Sequence, residues 1–172
     1  MAAQRPVSSA PLYTPEQRAR RDASRWTLVQ GVLAPLQFLV FLVSLALVAR
    51  YLLTGAGESA ATISIIIKTL VLYTIMVTGA IWEKEVFGKY LFAPAFYWED
   101  MVSMLVIALH TAYLATWLFD LTSTANQMAI ALAAYAAYVI NAAQFLLKLR
   151  TARLDAADRS GRSATNFAGQ ST

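Results

Sequence analysis

The sequence predicts an all-α integral membrane protein: a four-helix bundle with an amphipathic N-terminal helix and an aromatic, acidic loop on its cytoplasmic side. Three observations carry this prediction. The 172 residues are 58% hydrophobic and only 14% charged, with a mean hydropathy of +0.52. That is too apolar for a soluble domain of this size. The apolar residues fall into four runs, each of the roughly 20 residues or more that a helix needs to cross a bilayer. Basic residues gather at the ends, five of the fourteen before Trp26 and five from Lys148 onward, the pattern of topology-setting flanks rather than of a nucleic-acid face.

Residues 1–25 form a cytoplasmic N-terminal segment. Positions 1–14 are rich in Ala, Pro and Ser and read as mobile. They lack an apolar core followed by a small-residue cleavage site, so no signal peptide is expected. Thr14-Pro15-Glu16-Gln17 reads as an N-cap, a proline at the first helical position and a capping-box partner. The short helix that follows carries Arg18, Arg20, Arg21 and Arg25 and suits an anionic membrane surface.

Residues 26–149 form the transmembrane domain. The first span, Trp26 to Leu53, has Trp26 and Tyr51 at its interfaces and a kinking Pro35 inside. Its Gln30, Gln37 and Ser44 recur every seven residues on one face, as interhelical hydrogen-bonding groups would. After a tight connection at Gly55 and Gly57, the second span runs from Ala60 to Trp82. Lys68 lies inside it, roughly 12 Å from its start at 1.5 Å per residue. Two readings of Lys68 stand: a lysine snorkelling to the interface, or a buried cation paired with Asp120 or a substrate carboxylate.

Glu83 to Tyr97 forms the central loop, broken by Gly88 and Pro94. The third span, Trp98 to Leu121, presents Glu99, Ser103, Val106, His110, Tyr113 and Trp117 on one face. The fourth, Ala125 to Leu149, presents Tyr138, Asn141, Phe145 and Lys148, with Gln144 flanking and many alanines suited to close packing. Residues 150–172 read as a polar, disordered tail. Four spans and arginine-rich ends place both termini in the cytoplasm, and the central loop with them.

Chemistry concentrates in and around that loop. Glu83, Glu85, Glu99 and Asp100 are four of the ten carboxylates, set among seven aromatic side chains from Trp82 to Trp98. A carboxylic acid walled by apolar rings can stay protonated near neutral pH and act as a general acid. The competing reading is a solvated acidic loop with Lys84 and Lys89 in weak surface pairs, with Glu99 and Asp100 simply favoured at a helix N-terminus. His110, the only histidine, sits deep in the third span as a hydrogen-bonded core group, an axial ligand to a tetrapyrrole metal, or a proton relay. The absence of cysteine excludes thiolate metal sites, and one histidine excludes a multi-histidine centre within the chain. No glycine-rich phosphate loop, nucleophile elbow or HExxH motif occurs.

Four stretches resemble the 3-vinyl (bacterio)chlorophyllide hydratase family of bacteriochlorophyll biosynthesis: WTLVQGVLAPLQFLVF from Trp26, IWEKEVFGK from Ile81, FAPAFYWED from Phe92 and NAAQFLLKLR from Asn141. The resemblance covers about Leu12 to Leu154 and implies addition of water across the ring-A vinyl group of chlorophyllide a or bacteriochlorophyllide. Membership would place the chain in a bacterial inner membrane, with the lipid bilayer, the pigment and other pathway enzymes as partners, no nucleic acid and no cofactor. On this reading Glu99 works with Glu83 or Asp100 as acid and base, Glu85 being held in reserve. Trp82, Phe96, Tyr97 and Trp98 stack on the macrocycle, His110 ligates the substrate magnesium, and Lys84 or Lys89 meets the propionate. Two other classes compete: a non-catalytic tetrapyrrole-binding or assembly subunit, and a small transporter using Lys68, Asp120 and His110.

Overall fold

The computed structural model describes residues 12–169, with side chains to Leu154. The mobile stretch expected over residues 1–14 lies mostly outside the described residues, but Tyr13 is buried. Five helices follow in order: α1 Pro15–Ala23, α2 Arg25–Thr54, α3 Glu58–Phe87, α4 Tyr97–Leu118 and α5 Thr124–Gly169. The last four contain segments long and apolar enough to cross a membrane, so this is a multi-pass membrane protein. At 1.5 Å per residue the 30-residue helices α2 and α3 are each about 45 Å long, longer than the ~30 Å hydrocarbon layer.

The capping signals act as read. Thr14 Oγ1 accepts the Gln17 N–H and the Gln17 side chain accepts the Thr14 N–H. Ser24 separates α1 from α2 and caps α2 through the Trp26 N–H. Helix α2 continues through Pro35. Glycine closes α3 at Gly88, whose φ of +82° is the left-handed region that side chains resist. No breaker precedes it, so Glu83 and Glu85 belong to the last turns of α3 rather than to a loop beginning at Glu83. The connection to α4 is correspondingly short, Gly88 to Phe96. A second correction concerns the C-terminal tail. Helix α5 does not end at Leu149 but runs to Gly169, because no proline interrupts a stretch rich in Ala and Arg, both good helix formers, and Gly161 alone does not stop it.

Helix α2 packs along α3 and α4 along α5, and the two hairpins join through α3 with α4 and α2 with α5. The Gly88–Phe96 connection and α1 therefore share one end of the bundle, hereafter the α1 end. Ala131, Ala134 and Ala137 of α5 are buried and give the helices room to approach.

Polar groups knit this core. Gln30 Nε2 donates to Thr78 Oγ1 at 2.7 Å, joining α2 to α3. Ser44 Oγ lies 2.7 Å from Ser64 Oγ and 2.5 Å from Tyr135 Oη, linking α2, α3 and α5. Lys68 is 0% exposed, so it does not snorkel. Nor does it reach Asp120, which is exposed at the opposite end of α4. Lys68 Nζ lies 3.1 Å from His110 Nε2, enclosed by the rings of Tyr138, Tyr135 and Phe41 at 4.1, 5.3 and 5.8 Å. Aromatic faces attract a cation, and they supply what a carboxylate does not.

Ser44→Ala should remove the middle of the three-helix chain and leave Tyr135 and Ser64 short of a partner. The expected loss is about 1–2 kcal/mol, read as a lower unfolding midpoint in mixed micelles.

Candidate active site

The α1 end of the bundle gathers the acids. Glu83 lies in the last turns of α3, and Glu99 and Asp100 in the first turn of α4. All three are buried, at 5%, 6% and 4% exposure. The carboxyl groups of Glu83 and Asp100 are neighbours, each bonded to one of two consecutive backbone amides, Asp100 to that of Phe92 and Glu83 to that of Ala93. Two buried carboxyl groups so placed, with no cation bonded to either among the described residues, favour one retained proton over two negative charges.

Two consecutive backbone amides hold this pair. The Phe92 N–H donates to Asp100 Oδ2 at 2.7 Å and the Ala93 N–H to Glu83 Oε2 at 3.3 Å. Presenting both amides to the acids puts Phe92 at φ +58°. That region disfavours a bulky L-residue by roughly 1–2 kcal/mol, a strain that persists only where surroundings enforce it.

Glu99 is adjacent in sequence but differently partnered. Lys148 of α5 reaches Glu99 Oε2 at 2.5 Å, donates also to the Ala95 carbonyl oxygen, and lies 5.0 Å over the Phe96 ring. Glu99 is thus ion-paired with Lys148, next to two carboxyl groups that have no cation partner among the described residues. Two environments distinguish the acids, which their sequence spacing does not.

Aromatic rings wall the site. Phe96 is the hub, in contact with Tyr13, Trp82, Phe87 and Phe145 at 6.5, 5.7, 5.7 and 5.8 Å between centroids. Trp82 is fixed by a 2.9 Å hydrogen bond from Nε1 to Thr27 Oγ1. Tyr13 stacks on Phe87 under the Arg21 guanidinium, and burial pushes its phenol above its ordinary pKa. Tyr13, just ahead of α1, thereby packs the N-terminal segment on the rings beside the acids, and Ser24 Oγ, at the end of α1, donates to Glu85 Oε2 at 2.6 Å.

The sequence-predicted residues therefore divide. Glu83, Glu99, Asp100, Trp82 and Phe96 come together. Glu85 is exposed and serves the α1 junction. Lys84 closes the end of α3 on the Gly88 carbonyl oxygen at 3.0 Å, and Lys89 is exposed. Tyr97 and Trp98 face outward, Trp98 at 71% exposure. His110 is ten residues below Asp100, about 15 Å along the helix. Its ring nitrogens are occupied by the Val106 carbonyl oxygen at 2.8 Å and by Lys68, so an axial bond to magnesium would first have to break the Lys68 contact. Lys148 and Tyr13 were not anticipated as site residues. Lys148 was visible on the inner face of the fourth span, but nothing in its own segment identifies Glu99 as its partner.

A family model described as 2-vinyl bacteriochlorophyllide hydratase matches residues 13–151. The chain is similar to the 2-vinyl bacteriochlorophyllide hydratase of Cereibacter sphaeroides, 74% identical over 145 residues that cover 84% of this chain and 89% of the relative. It is also similar to the protein of the same name from Rhodobacter capsulatus, 73% identical over 147 residues and 85% of each chain. No solved structure matches it.

Lys148→Met should leave Glu99 as a buried charge without a counter-ion, a loss of about 3 kcal/mol for a pair of this burial. Lys148→Arg should restore most of it. Unfolding curves of the two variants in mixed micelles check this; equal curves would mean that the pair is solvated and weak.

Proposed function

The chain belongs to the 2-vinyl bacteriochlorophyllide hydratase family, and on that premise we propose how its buried acids add water to a vinyl group. It is a hydratase, a hydro-lyase of bacteriochlorophyll biosynthesis. Its substrate is the ring-A vinyl group of a chlorophyllide or bacteriochlorophyllide (position 2 in the older tetrapyrrole numbering, position 3 in the systematic one).

The observation that carries the mechanism is the buried, amide-held pair of Glu83 and Asp100, with no cation on either among the described residues, beside Glu99, which Lys148 partners; such a pair retains one proton. The pair gives its proton to the terminal vinyl carbon. The positive charge left on the inner carbon is delocalised into the macrocycle, and the nearby Glu99 carboxylate stabilises it electrostatically. Water adds to the inner carbon, and its surplus proton returns to the Glu83–Asp100 pair. Atoms balance as one water per vinyl group, with no change of redox state and no cofactor consumed.

Only the vinyl arm has to reach the acids. The macrocycle lies at the lipid-facing edge, where Tyr97 and Trp98 offer exposed rings. Entry of the arm requires the Gly88–Phe96 connection to shift, with Gly88 as the free joint and Phe96 as the part displaced. Glu85, Lys84, Lys89 and His110 have no part in the chemical step.

The protein sits in a bacterial inner membrane with both termini and the acid site at the cytoplasmic face, and α1 rests on the anionic headgroups through Arg18 and Arg20. Enzymes that make the vinyl substrate and oxidise the new alcohol are its expected neighbours.

Two outcomes test this reading. Glu83→Gln and Asp100→Asn should each lower kcat by about 10²–10⁴-fold, the usual contribution of a general acid, with pigment affinity largely kept. Glu85→Gln should do little, and ¹⁸O-water should label the inner carbon. Full activity in both dyad variants, or oxygen drawn from O₂, would reject the mechanism. Separately, reporter fusions at Thr172 and in the Gly55–Gly57 turn should report opposite sides of the membrane. Identical readings would reverse the span count.

A further inference from the structure

One layer of the bundle below the acids has polar atoms that nothing in the protein satisfies. Gln37 of α2 is 2% exposed, yet neither its Nε2 nor its Oε1 has a partner among the described residues. Asn141 Oδ1 and Gln144 Oε1 of α5 are buried and equally unpartnered. These atoms share a layer. The Phe41 and Tyr138 rings meet at 4.9 Å and set the register of α2 against α5. Gln37 lies one turn from Phe41 and Asn141 three residues from Tyr138. Because the helices are antiparallel, both steps lead toward the α1 end.

The layer connects to the site. Asn141 Nδ2 donates to Ser103 Oγ at 2.7 Å. Ser103 lies one turn from Glu99 along α4, and Gln144 one turn from Lys148 along α5. The polar layer thus begins one helical turn below the Glu99–Lys148 pair on both α4 and α5.

Buried amides are almost always hydrogen-bonded, and one left dry inside a membrane bundle is strongly disfavoured. The layer offers both donors and acceptors and no charge. An ion would find no counter-charge there, whereas water requires that mixture of two to four polar partners. We propose that Gln37, Ser103, Asn141 and Gln144 form an internal water site that supplies the hydrating water to the acids from within the bundle. The catalytic half of this proposal rests on the hydratase reading; the presence of water does not. Supply from inside suits a site whose outer side is sealed by Tyr13 and Phe96 and whose substrate arrives from lipid.

Synchrotron hydroxyl-radical footprinting of the full chain in lipid nanodiscs, without pigment, tests the first half, because radicals form from bound water in place. Phe41 and Tyr138, which border the layer and are 4% and 8% exposed, should be oxidised well above Met128, which is intrinsically more reactive, is also buried at 0% and lies distant from it. Gln37→Leu should abolish that labelling. It should also lower kcat about tenfold, the effect of one lost hydrogen bond, with KM unchanged. Gln30→Leu, on the same helix but partnered by Thr78, should alter neither. Labelling of Phe41 and Tyr138 no higher than Met128 in the wild type overturns the water site, whatever the variants do and even if vinyl substrate is hydrated. Labelling with unchanged kcat in Gln37→Leu overturns its role in supply. Labelling in a wild type that hydrates no vinyl pigment supports the water site and sinks the hydratase mechanism instead.

Discussion

Polar side chains enclosed by lipid-facing helices have no bulk water to turn to, so each must find its partner on another helix or hold a molecule that serves as one. In this bundle that constraint sets how the helices meet. Ser44 joins Ser64 and Tyr135, Gln30 joins Thr78, and Asn141 joins Ser103. At the centre, α3 and α4 supply Lys68 and His110 while α2 and α5 supply the rings around them. Apolar packing alone could not fix these registers, since leucine is as comfortable against lipid as against another leucine.

The same constraint separates the roles of the acids. Three buried carboxyl groups at one end of the bundle cannot all ionise unaided. One is compensated by Lys148, and the other two sit together under the amides of Phe92 and Ala93, where one retained proton relieves their repulsion. The unfavourable φ of Phe92 is the local cost of that arrangement. On the proposed mechanism this arrangement places a proton donor beside a negative charge, enclosed by rings, as carbon protonation followed by water addition demands. Tyr13, ahead of α1, packs on the same ring cluster, and Ser24 bonds Glu85, so the N-terminal segment is held against the acid-bearing end of the bundle rather than only on a membrane surface.

His110 and Lys68 show why depth and ionisability are not by themselves a site. Both are fully buried and both stood out as functional candidates, yet they satisfy each other about 15 Å along α4 from the acids. Gln37 shows the converse. It belonged to a repeating polar face that suits ordinary interhelical bonding, and two of its members, Gln30 and Ser44, do bond that way. Gln37 alone does not.

What is local and periodic is legible along the chain: four apolar spans, the capping box at Thr14, and an inner face of α4 carrying Glu99, Ser103, Val106, His110 and Tyr113. Caps and periodicities act within a few residues of chain, so they can be read there. Polar composition does not show that α3 continues through Glu83 to Phe87, nor that α5 extends through the C-terminal stretch, where alanines and arginines outweigh Gly161. Tertiary structure alone decided the partners: Glu83 with Asp100, Glu99 with Lys148, Lys68 with His110, and Gln37 with none. Partner choice depends on how far one helix slides and turns against another. A shift of one residue moves a side chain 1.5 Å along the axis and about 100° around it. Nothing in a single helix's sequence sets that shift; only the packed bundle does.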